Sequence, residues 1–382
     1  MLRYLDAGES HGKALVAIIE GFPSNVAINV ERINRQLYRR QRGYGRGNRM
    51  KIEKDKIDVI SGIRGGKTTG SPICVMIQNI DYDNWKEVMD ISKEYPEKVK
   101  IPRPGHADLN GALKYNIDDI RNVYERASAR ETAIRVAVGA ISMELLREFN
   151  VKINSRTISI GDVRDESSVQ LENDEHYAAI ESSLVRCFDK IAEKKMIELI
   201  NKASSLGETL GGCVEIKAFN IPCGLGSYVS YDRRMDFRIM GAIASIQGVK
   251  AVEIGDGIFA STQFGSHVND EIIINNGMYK RNSNYAGGIE GGITNGMPIN
   301  IRAFMKPIPT TKVEINTVDL MGNIKKSRYE RSDVCAVPAL GVICENVVAF
   351  EVAKAFLEKF SGDSIEDIKN SYDYYVGRII RR

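Results

Sequence analysis

RASARETAIRVAVGAISMELLREF, residues 126–149, is the stretch that most directly predicts the fold. In it apolar side chains recur every three or four residues, at Ala133, Ile134, Ala137, Val138, Ile141, Leu145 and Leu146. This spacing is typical of a helix with a broad apolar stripe. We therefore predict one long helix over residues 127–149 that packs in the core of the protein.

Outward from this helix, other patterns predict a mixture of helices and strands. Asn29 fits the N-cap of a helix that continues at helical spacing until Gly43. Further patterns predict a buried strand at 72–80 and helical stretches at 174–205, 233–246 and 342–359. No low-complexity linker or fixed repeat divides the chain, so residues 1–382 are predicted to form a single large domain.

The composition excludes several classes of protein. Hydrophobic residues make up 43% of the chain and charged residues 27%, as in soluble globular proteins. No apolar run approaches the roughly 18 residues that a membrane helix needs, so no membrane association is expected. Asp6 and Glu9 stand where a signal peptide would be apolar, which favours a cytoplasmic location. The six cysteines form no Cys-x-x-Cys pair, so no zinc ribbon is indicated and no metal is expected.

Residues 32–51 are strongly basic although the chain as a whole is nearly neutral. They contain seven arginines and one lysine without any acid, whereas the net charge of the chain is only +3. Bulk binding to nucleic acid is therefore not expected. An exposed helix face explains the first of these arginines, but Arg40, Arg46 and Arg49 lie at or within a segment that contains three glycines. Because a guanidinium group binds carboxylate or phosphate through two hydrogen bonds, we predict a small anionic ligand here.

Two of the four histidines, His11 and His106, lie in unusual turns. His11 is in the turn GESHG, where the glycines let the backbone approach a ligand closely. His106 is in RPGHAD, between Arg103 and an acid. Histidine transfers protons near neutral pH, so both are candidates for catalysis. The alternative, a turn histidine bonded only to the backbone, stays open for each.

Three other segments favour an anionic or planar ligand. Arg126, Ser128 and Arg130 open the predicted long helix, where amide N–H groups attract phosphate, although ordinary capping by Ser128 explains the segment equally well. Residues 283–296 contain five glycines, and ordering so dense a loop costs conformational entropy. Lys306 opens a stiff loop with two prolines.

Taken together, these segments resemble chorismate synthases. The matching pieces occur in the order of the family: 7–12 (AGESHG), 39–50 (RRQRGYGRGNRM), 69–73 (TGSPI), 103–108 (RPGHAD), 126–140 (RASARETAIRVAVGA), 253–257 (EIGDG), 284–292 (NYAGGIEGG), 306–310 (KPIPT) and 331–338 (RSDVCAVP). No single piece is decisive, but chance agreement of all nine is remote.

The resemblance implies a fold and an activity. The fold is α+β, a β-α-β sandwich whose helices pack between two largely antiparallel sheets. The substrate is a small phosphorylated molecule, 5-enolpyruvylshikimate 3-phosphate. Its phosphate and a ring proton are lost in a 1,4-elimination that gives chorismate and requires reduced FMN without consuming it. The resemblance also implies a homotetramer.

The resemblance further implies roles for particular residues. His11 is similar to the acid that assists the leaving phosphate, His106 to the residue that protonates or hydrogen-bonds the flavin, and Ser10 and Asp333 to a relay near the flavin edge. The residues that the resemblance places at the substrate are Arg40, Arg46, Arg49, Arg103, Arg130 and Arg331. Those that it places at the flavin are Arg126, Ala127, Ser128, Gln247, Gly248, Gly291, Lys306, Pro307, Ile308, Pro309, Thr310 and Arg331.

Two other functions are weighed against this one. A flavin-dependent oxidoreductase would share the cofactor, but it needs a nicotinamide site, and no Gly-x-Gly-x-x-Gly follows a strand. A nucleic-acid-binding module would use the arginine cluster, but Tyr38 and Tyr44 alone offer stacking aromatics there. Some chorismate synthases reduce their own flavin with NADPH, and that question stays open, including contacts of Arg40 and Arg46 with NADPH.

Overall fold

Helices and antiparallel strands are interspersed along the chain. The structure, a computed structural model, describes residues 1–47, 52–275, 277–330 and 332–380. Its α-helices are Val30–Gln41 (α1), Asp108–Tyr115 (α2), Arg121–Ala127 (α3), Thr132–Arg147 (α4), Asp174–Ser182 (α5), Lys190–Leu206 (α6), Met235–Ala244 (α7), Gly257–Ala260 (α8), Gly265–Val268 (α9), Val337–Lys359 (α10) and Ile365–Ile380 (α11). Short 3-10 helices cover Ile80–Asn84, Ala129–Glu131 and Tyr231–Arg233.

In the described parts of the chain, the strands form two larger sheets and four small hairpins. They are Arg3–Ala7 (β1), Ala14–Glu20 (β2), Asp58–Ser61 (β3), Ile63–Arg64 (β4), Lys67–Thr68 (β5), Ile73–Gln78 (β6), Lys152–Ile160 (β7), Val163–Arg164 (β8), Gly212–Phe219 (β9), Val249–Ile254 (β10), Ile272–Asn275 (β11), Met278–Arg281 (β12), Ile289–Glu290 (β13), Ile293–Thr294 (β14), Ile299–Met305 (β15), Asn316–Val318 (β16) and Ile324–Lys326 (β17). The four-stranded sheet has the order β1-β2-β6-β3, and the five-stranded sheet has the order β10-β15-β9-β7-β8.

Both larger sheets are antiparallel throughout the described residues. In the four-stranded sheet Leu5 pairs with Ile18, and in the five-stranded sheet Val214 pairs with Ala303. The hairpins are β4–β5, β11–β12, β13–β14 and β16–β17. The α+β class expected from the resemblance is therefore present, with helices and antiparallel sheets in one chain.

Helices α4 and α10 pack against each other and contact one sheet each. Helix α4 contacts strands β1, β2 and β6 of the four-stranded sheet, and α10 contacts β7 and β9 of the five-stranded sheet. Every residue of α4 from Thr132 to Leu146 is buried, because neighbours cover the helix on all sides. Gly139 of α4 lies directly against the backbone of Asn346 in α10. This glycine allows the two helices to approach closely.

The predicted long helix over residues 127–149 begins later than expected. Helix α3 ends at Ala127, and Ser128 has extended backbone angles (φ −64°, ψ 142°) that interrupt the helix. The Ser128 side chain accepts a hydrogen bond from the backbone of Arg130, so the residue caps the short 3-10 turn that precedes α4. The apolar spacing predicts α4 correctly, but Ser128 separates it from the residues before it.

The remaining predicted elements are confirmed with two corrections. Asn29 caps α1 by accepting from the backbone of Arg32, and the strand and helix predicted at 72–80 and 233–246 are β6 and α7. The stretch at 174–205 is two helices, because Ser183 has extended backbone angles (φ −71°, ψ 138°) and Asp189 caps a new helix. Helix α10 starts at Val337, five residues before the predicted 342. Within the described part of the chain, no helix has the length and apolar character needed to cross a membrane.

Candidate active site

The turn that contains His11 is held against the end of helix α3. The backbone N–H of Ser10 donates to the carbonyl of Glu125 at 2.9 Å, and Arg126 Nη1 donates to the carbonyl of Gly8 at 3.2 Å. Gly8 has a φ of +116°, and a Cβ there would lie 2.4 Å from the carbonyl oxygen of Ala14. Glycine is therefore required for the chain to leave β1 and place His11 on α3.

His11 is fixed on two sides. Its ring nitrogen Nδ1 lies 2.8 Å from Oε1 of Glu125, while its backbone N–H donates to Oε2 of the same carboxylate at 2.7 Å. Its imidazole stacks on the indole of Trp85 with ring centroids 4.0 Å apart and an interplanar angle of 22°. The imidazole is 19% exposed, whereas the side chain of Glu125 is 1% exposed. One edge of the ring thus stays accessible while the rest is held.

Ser10 and the predicted flavin-binding residues at 126–128 adjoin this turn. The hydroxyl of Ser128 donates to the hydroxyl of Ser10 at 3.2 Å, and Ser10 is buried. Arg126 Nη2 donates to the Asp6 carboxylate at 2.7 Å, which holds the guanidinium group beside β1. Ala127 lies between them as the last residue of α3. The structure therefore brings these four predicted residues to one place.

A buried polar network connects this turn with Arg40 and Arg130. Asn79 donates to the carbonyl of Gly12 at 2.7 Å and accepts from Arg130 Nε at 2.9 Å. Arg130 Nη1 in turn donates to both carboxylate oxygens of Asp55, at 2.7 and 2.8 Å. The Arg130 side chain is 2% exposed, so its charge is compensated inside the protein. From this position Arg130 can hold Arg40 in place through Asp55, and it can equally contact a ligand.

Arg40 lies in the same network at the end of α1. Its Nε donates to Thr132 Oγ1 at 2.9 Å, its Nη2 donates to the carbonyl of Ala129 at 3.0 Å, and its Nη1 lies 3.6 Å from the Asp55 carboxylate. Burial lowers the pKa of Arg40 to about 9; Asp55 opposes this effect, and the charges of Arg130 and Arg46 reinforce it. Nη1 of Arg40 is buried without a hydrogen-bond partner among the described residues. An anionic ligand would satisfy this donor.

Arg46 and Asp333 form an ion pair beside Arg40. The Arg46 Nε lies 3.1 Å from Asp333 Oδ2, and the backbone N–H of Gly47 donates to Oδ1 at 2.6 Å. Arg40, Arg46, Asp333 and Gln247 line a cavity of about 50 Å³ together with apolar residues. A neighbouring cavity of about 200 Å³ is lined by Arg46, Asp333 and Thr310 among others. These predicted substrate, relay and flavin residues therefore share one recess.

The second histidine belongs to a separate charged cluster. His106 Nδ1 lies 2.5 Å from Asp108 Oδ1, and Arg103 Nε donates to Asp108 Oδ2 at 2.8 Å. The Asp108 side chain is 1% exposed. Burial opposes the ionised form, but hydrogen bonds from His106 and Arg103 and the charge of Arg103 hold the pKa of the Asp108 carboxyl well below its usual range. Asp108 therefore orients both residues as an anion at neutral pH.

The Lys306 loop joins this cluster to the other predicted flavin residues. Lys306 Nζ donates to the carbonyl of Gly105 at 2.7 Å, and its backbone N–H donates to the carbonyl of Gly248 at 2.9 Å. Burial, and the nearby Lys250, lower the pKa of Lys306. Within the loop, the carbonyl of Ile308 accepts from Thr209 at 2.7 Å. The contacts place Lys306 between His106 and Gly248.

The other predicted site residues are placed differently. Gly291 lies in the turn of the β13–β14 hairpin with a φ of +58°, and the next residue, Gly292, accepts from the backbone of Met235. The hairpin thus contacts the first residue of α7, and it also contacts Leu225 and Arg281. Arg49 and Arg331 lie outside the residues that the structure describes.

Four residues that hold this site together have no predicted role: Glu125, Trp85, Asn79 and Asp55. Each acts across 50 or more residues of sequence, for example His11 with Glu125 at a separation of 114. The spacing of residues in a local stretch of sequence does not reveal pairs that are so far apart. The sole tryptophan, Trp85, offered a weak signal by its rarity. The motif RPGHAD shows that an acid follows His106, but it gives no indication that the Asp108 carboxylate is buried.

Known proteins resemble this chain over almost its entire length. A family model described as chorismate synthase matches residues 2–357. A chorismate synthase from Alkaliphilus metalliredigens is 50% identical over 380 residues, which cover 98% of this chain and 100% of that protein. One from Caldicellulosiruptor saccharolyticus is 50% identical and covers 97% of this chain and 98% of that protein. A crystal structure of chorismate synthase has a TM-score of 0.82 and 41% identity, and covers 100% of this chain and 99% of that chain. This chain therefore belongs to the chorismate synthase family.

Proposed function

We propose that this protein removes phosphate and a ring proton from 5-enolpyruvylshikimate 3-phosphate to give chorismate, as a carbon–oxygen lyase of the shikimate pathway. The observation that carries the proposal is the recess lined by Arg40, Arg46 and Asp333. A buried hydrogen-bond network connects Arg40 to the turn of His11, and His11 and His106 are each held by a buried carboxylate. A substrate with one phosphate and two carboxylates needs such a concentration of guanidinium groups.

The arginines have different proposed duties at the substrate. Arg46 lines both cavities and is proposed to contact the anionic groups directly. Arg40 offers a buried donor without a partner at the same recess. Arg103 carries its charge beside His106, and Arg130 supports Arg40 through Asp55. Arg49 and Arg331 are proposed on the resemblance alone.

The residues around the recess fit reduced FMN. The carbonyl oxygen of the Gln247 side chain is buried and lacks a hydrogen-bond partner in the described part of the chain, so it can accept from a ring N–H. Arg126, Ser128 and Lys306 supply donors for phosphate and carbonyl oxygens. When bound, reduced FMN supplies an electron-rich ring that assists the departure of phosphate and accepts the ring proton without net oxidation. The other flavin-binding residues, Ala127, Gly248, Gly291, Pro307, Ile308, Pro309 and Thr310, are proposed from the resemblance.

The histidines are proposed to act at different atoms. His11 donates a proton to the leaving phosphate from the accessible edge of its ring. His106 hydrogen-bonds the flavin, and its link to Lys306 through Gly105 supports that position. Ser10 and Asp333 are proposed as a proton relay; Ser10 contacts Ser128, and Asp333 contacts Arg46.

We also propose the arrangement of the sheets and helices, the oligomeric state and the cellular location. The contacts of α4 with the four-stranded sheet and of α10 with the five-stranded sheet support a β-α-β sandwich in a single domain. A homotetramer and a cytoplasmic location are proposed from the family. Reduction of the flavin by NADPH is a separate activity, and no observation favours a general oxidoreductase over the lyase.

Substitution of the two histidines tests the assignment of their roles. His11→Ala is expected to lower kcat by about 10² to 10⁴ while leaving the affinity for reduced FMN nearly intact, because general acid catalysis typically contributes that much. His106→Ala is expected to lower kcat and also to change the absorbance spectrum of bound reduced FMN. The measurement is a pH titration of that spectrum in both variants. Losses well below tenfold in both variants would make them ordinary turn histidines, and a spectral change only in His11→Ala would exchange the roles.

A further inference from the structure

We infer that Glu125 is the positioning residue for His11, fixing the imidazole with its proton on Nδ1 and its Nε2 directed to the reaction. The inference rests on the proposed function of His11 as the acid for the leaving phosphate. Glu125 is buried and lines neither cavity of the recess. Its effect on the reaction would pass entirely through His11.

Both carboxylate oxygens of Glu125 are engaged by the same residue. Oε2 accepts the backbone N–H of His11 at 2.7 Å, and Oε1 lies 2.8 Å from Nδ1. A carboxylate accepts hydrogen bonds and does not donate them, so Nδ1 carries a proton in this arrangement. The hydrogen bond of one ring nitrogen decides the state of the other. Nε2 is therefore the nitrogen that exchanges a proton with a ligand.

The surroundings restrict the orientation of the imidazole. Trp85 covers one face of the ring, and the Arg121 guanidinium carbon lies 5.8 Å from the centroid of the same indole. On the side of the turn, Glu9 Oε2 lies 2.7 Å from the position that a Cβ on Gly12 would occupy. Glu125 thus bonds to His11 directly, while Arg121 lies at Trp85, Glu9 beside Gly12 and Arg126 at the carbonyl of Gly8. Because stacking and two hydrogen bonds act together, rotation of the ring is hindered.

In the inferred proton transfer, Glu125 stays a carboxylate from beginning to end. His11 begins with both ring nitrogens protonated. As the carbon–oxygen bond breaks and its electron pair leaves with the phosphate, the proton on Nε2 passes to a phosphate oxygen. His11 is then neutral with its proton on Nδ1, still donated to Glu125. The ring proton of the substrate leaves by the separate route proposed above.

A double-mutant cycle with His11 distinguishes a positioning role of Glu125 from a purely structural one. In Glu125→Gln the amide cannot accept from both the backbone N–H and Nδ1–H, so the ring loses its fixed tautomer. We expect kcat to fall by about 10- to 1000-fold, less than the 10²- to 10⁴-fold range of general acid catalysis itself at both ends, with KM changed less than about threefold. In the His11→Ala background, Glu125→Gln should cause no further loss beyond about twofold. Glu215→Gln, which removes another buried carboxylate that pairs with Arg156 at 2.9 Å, should retain wild-type kcat.

A second measurement uses the wild-type protein without ligands. With ¹⁵N-labelled histidine, the neutral form of His11, identified by its absence from His11→Ala, should show a protonated Nδ1 and an unprotonated Nε2. An Nε2-protonated ring at high pH would overturn the inference even if all variants fold. A full additional loss in the double mutant would also overturn it, while leaving the role of His11 intact. If His11→Ala retained wild-type kcat, the proposed function of His11 would fail and the inference with it.

Discussion

Arg46→Ala is expected to weaken binding of 5-enolpyruvylshikimate 3-phosphate by about 3–4 kcal/mol, which corresponds to an increase in Kd of about 10²- to 10³-fold. Arg46 lines both cavities of the recess and pairs with Asp333 at 3.1 Å. Its removal takes a guanidinium group from the substrate. It also leaves the Asp333 carboxylate close to the bound anion, which adds repulsion.

The measurement is isothermal titration of substrate and, separately, of reduced FMN under anaerobic conditions. The affinity for FMN without substrate should change less than tenfold. Arg42→Ala is the matched control, because Arg42 belongs to the same basic segment, is exposed and stacks over Tyr38. That variant should bind both ligands normally. If FMN binding were lost in Arg46→Ala while substrate binding survived, the assignment of Arg46 to the substrate would be wrong.

Gly139→Ala is expected to destabilise the protein by about 3 kcal/mol, at the upper end of the usual cost of overpacking a core. A Cβ at this position would lie 2.1 Å from the carbonyl oxygen of Asn346 and 2.5 Å from its carbonyl carbon. The atoms in its way are backbone atoms of α10 and cannot move without separating the helices. The helix propensity gained with alanine, at most about 1 kcal/mol, does not offset this cost.

Gly241→Ala provides the control for the same substitution in another helix. Gly241 is exposed on α7, and a Cβ there would meet no described heavy atom within 4 Å. We expect this variant to gain about 0.5–1 kcal/mol. The measurement is the midpoint of urea unfolding by circular dichroism at one protein concentration. Equal stability of Gly139→Ala and the wild-type protein would contradict the close packing of α4 against α10.

Periodicity and capping residues predicted much of the helical structure, because these signals are local. Asn29 marked the start of α1, and the apolar spacing at 133–146 marked α4. The breaks at Ser128 and Ser183 escaped prediction, since each depends on extended backbone angles that most residue types can adopt. The pairing of β9 with β15 and β7 joins distant segments, so no local pattern could reveal it.

The sequence motifs of the candidate site could be predicted, whereas the residues that hold these motifs in place could not. The turns around His11 and His106 stood out because glycines flank polar side chains in both, and a proline adjoins the glycine in the second. The partners Glu125 and Asp55 could not be foreseen, because each meets its arginine or histidine only after the chain folds. The catalytic and binding roles of the predicted residues stay predictions, and substitution of His11, His106 and Arg46 tests three of them.

An anaerobic assay with substrate in large excess over reduced FMN tests the central claim most directly. Chorismate, inorganic phosphate and the oxidation state of the flavin should be followed in the same reaction. The account predicts one phosphate per chorismate, many turnovers per flavin, no net loss of reductant and no product with oxidised FMN. Full turnover with oxidised FMN in air, or one reductant spent for each product, would contradict it.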